Sequence, residues 1–395
     1  MKRRAGSIGI GLRLAFAAAA CALLGAAPLR AAEPDTAETR RIMHEVFGAL
    51  KEVLPLSLDE QRFADPAQRA AIEKSLAILS RNAGKLSGHG AGHDSSFEFL
   101  SASLAREAAE IERRFAAGRF REAQFAIHEF TENCVACHSR LPDPDDAQLS
   151  SRFMDDAQVA ALPLPERAEL AMATRQFERA LAAQEAMLTS REFDVGSIDL
   201  LGYLDDYIEV CVRVKRDFER PARALETFAK RPDLRASLKS DVSQWVTDLR
   251  TFAARPPVEG LEAGRKLAQE AEAASEKGGE HALLVRFEVA SGALLRYVAS
   301  LPDGDARAAP AYYWLGVIES RVGRSFWLSQ TEPYLEAAIR LAPGDPQADK
   351  AYALLEEFVV GGYTGSSGEH VPADVRARLD QLKHLIAKSR DHGRS

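Results

Sequence analysis

The sequence predicts an all-α protein in two helical parts. Apolar residues recur at spacings of three and four through residues 36–142, which hold no convincing strand pattern. Helix after helix returns from residue 160 to the end of the chain. We therefore expect an N-terminal four-helix bundle over 36–142, a linker over 143–159 and a second helical domain over 160–395.

The first 32 residues are typical of a secretory signal peptide. A basic N-terminus precedes a short apolar run over residues 14–27, which suits export better than membrane spanning. We expect cleavage after Ala31 or Ala32 and a periplasmic protein. A lipid anchor on Cys21 is the lesser alternative, because apolar sequence continues beyond it.

Charge limits the classes of partner. Removal of residues 1–32 takes away five of the 51 basic residues and no acidic ones, which leaves 46 against 58 and a net charge of −12. This balance argues against nucleic acid or anionic lipid as a partner. No later segment approaches the length of a transmembrane helix.

Four amphipathic stretches make up the predicted bundle. Proline and glycine mark their ends, and apolar residues line one stripe of each. The expected helices are a first from about Thr36 to Leu54 before Pro55, a second that Asp65 caps with Pro66 in its first turn and that runs to the Gly-rich break Ser87 to Asp94, a third from Ser95 to Gly118, and a fourth from Phe120 to Cys137.

Residues 134–138 read Cys-Val-Ala-Cys-His, which is the attachment signal for a c-type haem. Two thiols three residues apart on one helical turn can each add to a vinyl group of haem. The adjacent imidazole of His138 then reaches the iron. The sequence therefore predicts one covalently bound haem c held by Cys134, Cys137 and His138.

Two other interpretations of the motif are weaker. A thioredoxin-like redox pair would open a helix that follows a strand, whereas this motif ends a long amphipathic helix. A structural zinc site would need a second Cys or His pair at matching spacing, and Cys21 and Cys211 do not supply one. Export also agrees with haem attachment, which bacteria perform outside the cytoplasmic membrane.

Residues 36–142 resemble the class II c-type cytochromes, the cytochrome c′ family, in their bundle pattern and in the place of the motif at the end of the fourth helix. The resemblance implies a haem between the helices and a distal ligand from the first helix, which makes Met43 the first candidate. His93 and His89, in the link between the second and third helices, are alternatives, and an open iron is another. It also leaves a homodimer possible.

The second domain is similar in places to tetratricopeptide repeats, whose paired helices cross at small residues. The matching positions are Tyr312, Leu315, Gly316, Leu335, Ala338 and Pro343, and a helix pair is expected within Ala168 to Leu188. The resemblance implies an α-solenoid-like scaffold that binds proteins.

No enzymatic motif is complete. His44-Glu45 and His128-Glu129 each lack the second histidine of a zinc protease. We expect no enzyme, but one-electron transfer to a redox partner within a complex that the second domain helps to assemble. Two alternatives stay open: a five-coordinate haem protein that binds NO or CO, and a structural adaptor with a stabilising haem.

Overall fold

The computed structural model describes residues 36–90, 95–140, 157–191, 195, 200–275, 279–322, 329–366 and 368–394. The chain divides into two compact units. The first, residues 1–41, is described only from Thr36, where Arg41 forms an ion pair of 2.5 Å with Glu38. Residues 42–395 form the second unit.

The all-α class is confirmed, because most of the described chain is helical and its strands are limited to one short hairpin. The N-terminal helices are α1 (Thr36–Ser57), α2 (Glu60–Phe63), α3 (Arg69–Gly90), α4 (Ser95–Ala116) and α5 (Phe120–His138). They include the four helices that the apolar spacing predicts.

The C-terminal helices begin after the predicted linker. They are α6 (Ala157–Ala160), α7 (Leu164–Ala173), α8 (Phe177–Thr189), α9 (Leu200–Glu209) with a π-helical turn at Val210–Val214, α10 (Glu219–Phe228), α11 (Ala236–Ala253), α12 (Gly260–Ser275), α13 (Leu284–Ala299), α14 (Ala309–Val322), α15 (Thr331–Leu341), α16 (Pro346–Gly362) and α17 (Ala373–Arg394). Short 3₁₀ turns lie at Glu280–Leu283 and Ala306–Ala308, and β1 (Thr364–Gly365) pairs antiparallel with β2 (Gly368–Glu369).

Pro55 does not stop the first helix as predicted. The helix continues to Ser57, whose hydroxyl donates to the carbonyl of Leu54 at 2.8 Å. A proline in the last turn removes only one hydrogen bond, so the end of the helix tolerates it. The short α2 that follows was not predicted, and the Asp59 carboxylate caps it by accepting from the Arg62 amide at 3.0 Å.

The ends of α3 also differ from the prediction. Asp65 does not cap this helix but closes a turn before it, because its carboxylate accepts from the Ala67 amide at 2.8 Å. At the other end, the predicted Gly-rich break is wrong for residues 87–90, which remain helical. A glycine costs a helix only about 1 kcal/mol, and the buried Leu86 anchors the preceding turn.

Buried apolar side chains form two hydrophobic clusters. The larger one fills the space between the N-terminal helices and continues through α7 to α11 to the start of α13. The helix that carries the Cys-x-x-Cys-His motif, α5, packs against α4 on one side and α7 on the other. The second cluster joins α12 to α17.

Successive helices in the C-terminal part pack against each other: α7 with α8, α10 with α11, and each helix from α12 to α16 with the one that follows it. Gly316 lets α14 and α15 approach closely, since a β-carbon there would lie 2.6 Å from Cδ2 of Leu335. None of the described helices has both the length and the apolar character that crossing a membrane requires.

A buried ionic cluster links three parts of the chain. Arg213, in the π-helical turn, pairs with Glu209 of α9 and with Glu288 of α13, both at 2.8 Å. The hydroxyl of Ser139, directly after α5, lies 2.6 Å from the Glu209 carboxylate and completes the link. Such charges are tolerated in a core only because each has a partner.

Candidate functional site

The last turn of α5 brings the motif residues to one face. The buried Ala123, Ile127 and Phe130 fix the inner stripe of this helix against the core. Cys134, Cys137 and His138 follow at helical spacings of three and four, which place their side chains on neighbouring positions. The helix ends at His138, where the Ser139 amide donates to the Val135 carbonyl at 2.9 Å. As predicted, the motif ends a helix rather than opening one.

Both cysteines of the motif are partly buried, and neither forms a disulfide. Burial raises the pKa of Cys134 to about 12, and the electrostatic effects of Cys137, Glu107 and Glu169 act in the same direction. The thiol of Cys134 is therefore neutral near pH 7. A redox-active cysteine needs the opposite, a pKa lowered towards neutrality. The geometry thus disfavours the thioredoxin-like interpretation.

The imidazole of His138 is neutral and has one nitrogen without a partner. Burial lowers the pKa of His138 to about 4, the charge of Arg175 lowers it further, and a hydrogen bond with the Ala173 backbone opposes both. Its Nδ1 atom is buried with no hydrogen-bond partner. Buried nitrogen atoms in proteins seldom lack a hydrogen-bond partner. Neutral imidazole is also the form that binds metals.

These three side chains fit a covalently attached haem. Two thiols on one helical turn can form thioethers with the two vinyl groups, and the next residue carries a neutral imidazole for the iron. Within the described residues, no group of three or more His, Cys, Asp or Glu side chains could hold a bare metal ion. A zinc site at Cys134 and Cys137 therefore has no further ligands there.

Two partly buried carboxylates lie beside the motif. On α4, Glu107 accepts from the side-chain amide of Asn133 at 2.5 Å, and burial raises the pKa of Glu107. On α7, Glu169 accepts a hydrogen bond from Thr131, and burial raises its pKa to about 8. The motif thus lies where α4, α5 and α7 meet.

Sequence reasoning missed the neighbours of the motif. Glu107 precedes it by one helix, and Glu169, Ala173 and Arg175 follow it beyond the predicted linker. Isolated acidic and basic residues on amphipathic helices are usually solvated, so no spacing signal distinguishes these. Only the packing of α5 against α7 reveals them.

The structure describes the candidate distal ligands unequally. Met43 is partly buried on α1 and packs against the larger hydrophobic cluster, as does Cys134. The backbone of His89 lies in the last turn of α3, but the structure does not describe its side chain. His93 falls outside them altogether. All three remain predictions.

No family model, curated protein or solved structure matches this chain. The chemistry of the residues at the end of α5 therefore carries the functional interpretation.

Proposed function

We propose that this chain is an exported monohaem c-type cytochrome that transfers single electrons to a protein partner. The observation that carries the proposal is the last turn of α5. There, two cysteines outside any disulfide and a neutral imidazole with a buried, unpartnered nitrogen share one face.

Each motif residue has a distinct role in this proposal. Cys134 and Cys137 would tether a haem through thioethers, and His138 would supply an imidazole ligand to the iron. Met43 is the first candidate for the other iron ligand, with His93 and His89 as alternatives. When bound, the haem supplies a one-electron couple, and methionine ligation raises its potential.

The C-terminal helices act as a repeat-like scaffold in the same proposal. Supporting observations are the packing of each successive helix against the next and the close crossing of α14 and α15 at Gly316. Helical repeats present extended surfaces to other proteins. The scaffold would hold the redox partner or other subunits near the haem.

The test begins with the purified full-length protein, expressed together with a bacterial haem-attachment system. We expect a haem that stays with the polypeptide after acid–acetone extraction, with a pyridine haemochrome spectrum typical of two thioethers. Cys134→Ala together with Cys137→Ala should abolish covalent attachment. Cys211→Ala is the matched control, because Cys211 is a buried free thiol outside the motif. A wild-type protein without haem would overturn the proposal.

Spin state and carbon monoxide binding then test the role of the iron. A low-spin spectrum that is indifferent to carbon monoxide supports electron transfer, and Met43→Leu should convert it to a form that binds the gas. A wild-type iron that is high-spin and binds carbon monoxide at once would contradict electron transfer and favour the gas-binding alternative.

A further inference from the structure

The imidazole of His138 has neighbours from beyond the predicted bundle. The backbone of Ala173, the last residue of α7, hydrogen-bonds with it, and Arg175 follows two residues later. The larger hydrophobic cluster also runs from α5 into α7 without a break. The wall beside the proximal histidine is therefore built partly by the turn between α7 and α8.

Arg175 has an unusual backbone conformation within this turn. Its φ angle is +60°, and Arg175 and Arg216 are the two residues other than glycine with a positive φ in the described part of the chain. The Arg175 amide donates to the Met172 carbonyl at 3.0 Å, and the Gln176 amide donates to the Ala171 carbonyl at 2.7 Å. This pattern ends a helix, and glycine is the usual residue at its left-handed position.

An arginine in a position that favours glycine indicates a use for its side chain. Backbone strain of this kind persists where the surrounding structure or the function requires it. Arg175 follows by two residues the backbone contact of Ala173 with His138, and its positive charge lowers the pKa of His138. A fixed positive charge near iron favours the ferrous over the ferric state, because the ferric state carries one more positive charge.

We propose that the α7–α8 turn completes the haem site, and that the positive charge of Arg175 raises the reduction potential of the iron. This inference rests on the proposed function. It assigns the second helical part a direct role at the redox centre, in addition to any role as a scaffold. The two partly buried carboxylates, Glu107 and Glu169, act in the opposite direction whenever they are ionised.

The test is a redox titration of the full-length haem protein and of three variants. In Arg175→Gln and Arg175→Gly we expect the midpoint potential to fall by about 59 mV. At a fixed applied potential, the ratio of ferric to ferrous protein would then rise about tenfold. Arg175→Lys keeps the charge and should stay near wild type. Arg223→Gln is the control, because this side chain is 65% exposed on α10.

Thermal unfolding separates electrostatics from architecture. Arg175→Gly relieves the positive φ, so its melting temperature should equal or exceed that of wild type while its potential falls. An unchanged potential in both the Gln and Gly variants would overturn the inference, as would a Lys variant that falls as far as Gln. Absence of haem from the wild-type protein would instead overturn the proposed function.

Discussion

Glu169 is a partly buried acid whose ionisation opposes folding. Burial is the largest cause of its raised pKa of about 8, and it outweighs the hydrogen bond from Thr131. The carboxylates of Asp206, Glu132 and Glu166 act in the same direction as burial. Because the folded state holds this proton more tightly than the unfolded state, its contribution to stability is complete below the unfolded pKa and is lost as pH rises to about 8.

Glu169→Gln should therefore make the protein more stable at pH 8, by about 4 kcal/mol, and leave it nearly unchanged at pH 4. Glutamine mimics the protonated acid and never ionises. Urea unfolding at several pH values measures the effect. Glu122→Gln, at an exposed position on α5, is the control. A constant difference between the Gln variant and wild type across this pH range would contradict the account.

Among the individual residues of the candidate site, the sequence predicted the motif but none of the residues that surround it. Cys134, Cys137 and His138 are recognisable because the chemistry requires their spacing. Glu169 and Arg175 have no such spacing, since folding alone brings them towards α5. Their environment depends on long-range packing, which apolar periodicity does not encode.

Among the helices, α14 and α15 depend on one glycine. Cβ at position 316 would lie 2.6 and 2.7 Å from Cδ2 and Cγ of Leu335, which is itself fully buried. A methyl group there would force the two helices apart or Leu335 out of its rotamer. The contact explains why a small residue stands at this position of the repeat-like pattern.

Gly316→Ala should destabilise the protein by about 1–3 kcal/mol, the usual cost of overpacking. Gly361→Ala is the matched control, because a β-carbon there has no neighbour within 4 Å. The control should be neutral or stabilising by about 0.5–1 kcal/mol, since alanine suits a helix better than glycine. Chemical denaturation compares the two. Equal stability of both variants would show that α14 and α15 can separate without cost.

Helix positions were predicted well and their ends less well. Apolar spacing predicted α4 and α5 almost to the residue, because each buries one continuous stripe. The errors at Pro55 and Asp65 arise from local hydrogen bonds that compete with one another, such as the turn that Asp65 closes. Several residues can cap or end a helix at similar cost, so the sequence alone does not decide between them.

Across the whole of residues 42–395, the larger hydrophobic cluster crosses the predicted linker. It includes Ile127 of α5, Leu170 of α7 and Trp245 of α11. The domain boundaries at 142 and 160 remain a prediction. However, when one helix of a shared apolar cluster unfolds, the side chains of the other helices in that cluster become exposed to water. The stabilities of these helices are therefore coupled.

We therefore expect α4, α5 and α11 to unfold in one transition. Hydrogen–deuterium exchange at increasing denaturant, read by mass spectrometry, can follow peptides from each helix. Their protection should disappear at the same denaturant concentration. Loss of protection in α4 and α5 well before α11 would show that the N-terminal helices unfold as an independent domain.

The hydrogen bond between Ser139 and Glu209 has a consequence for biogenesis. Ser139 directly follows His138, and its carboxylate partner belongs to the buried ionic cluster with Arg213 and Glu288. Once these charges are enclosed, Cys134 and Cys137 are held partly buried on the turn that precedes Ser139. We therefore expect a covalent group at these two thiols to be attached before Glu209 and Arg213 are enclosed. Maturation and folding would then follow a fixed order, with attachment first.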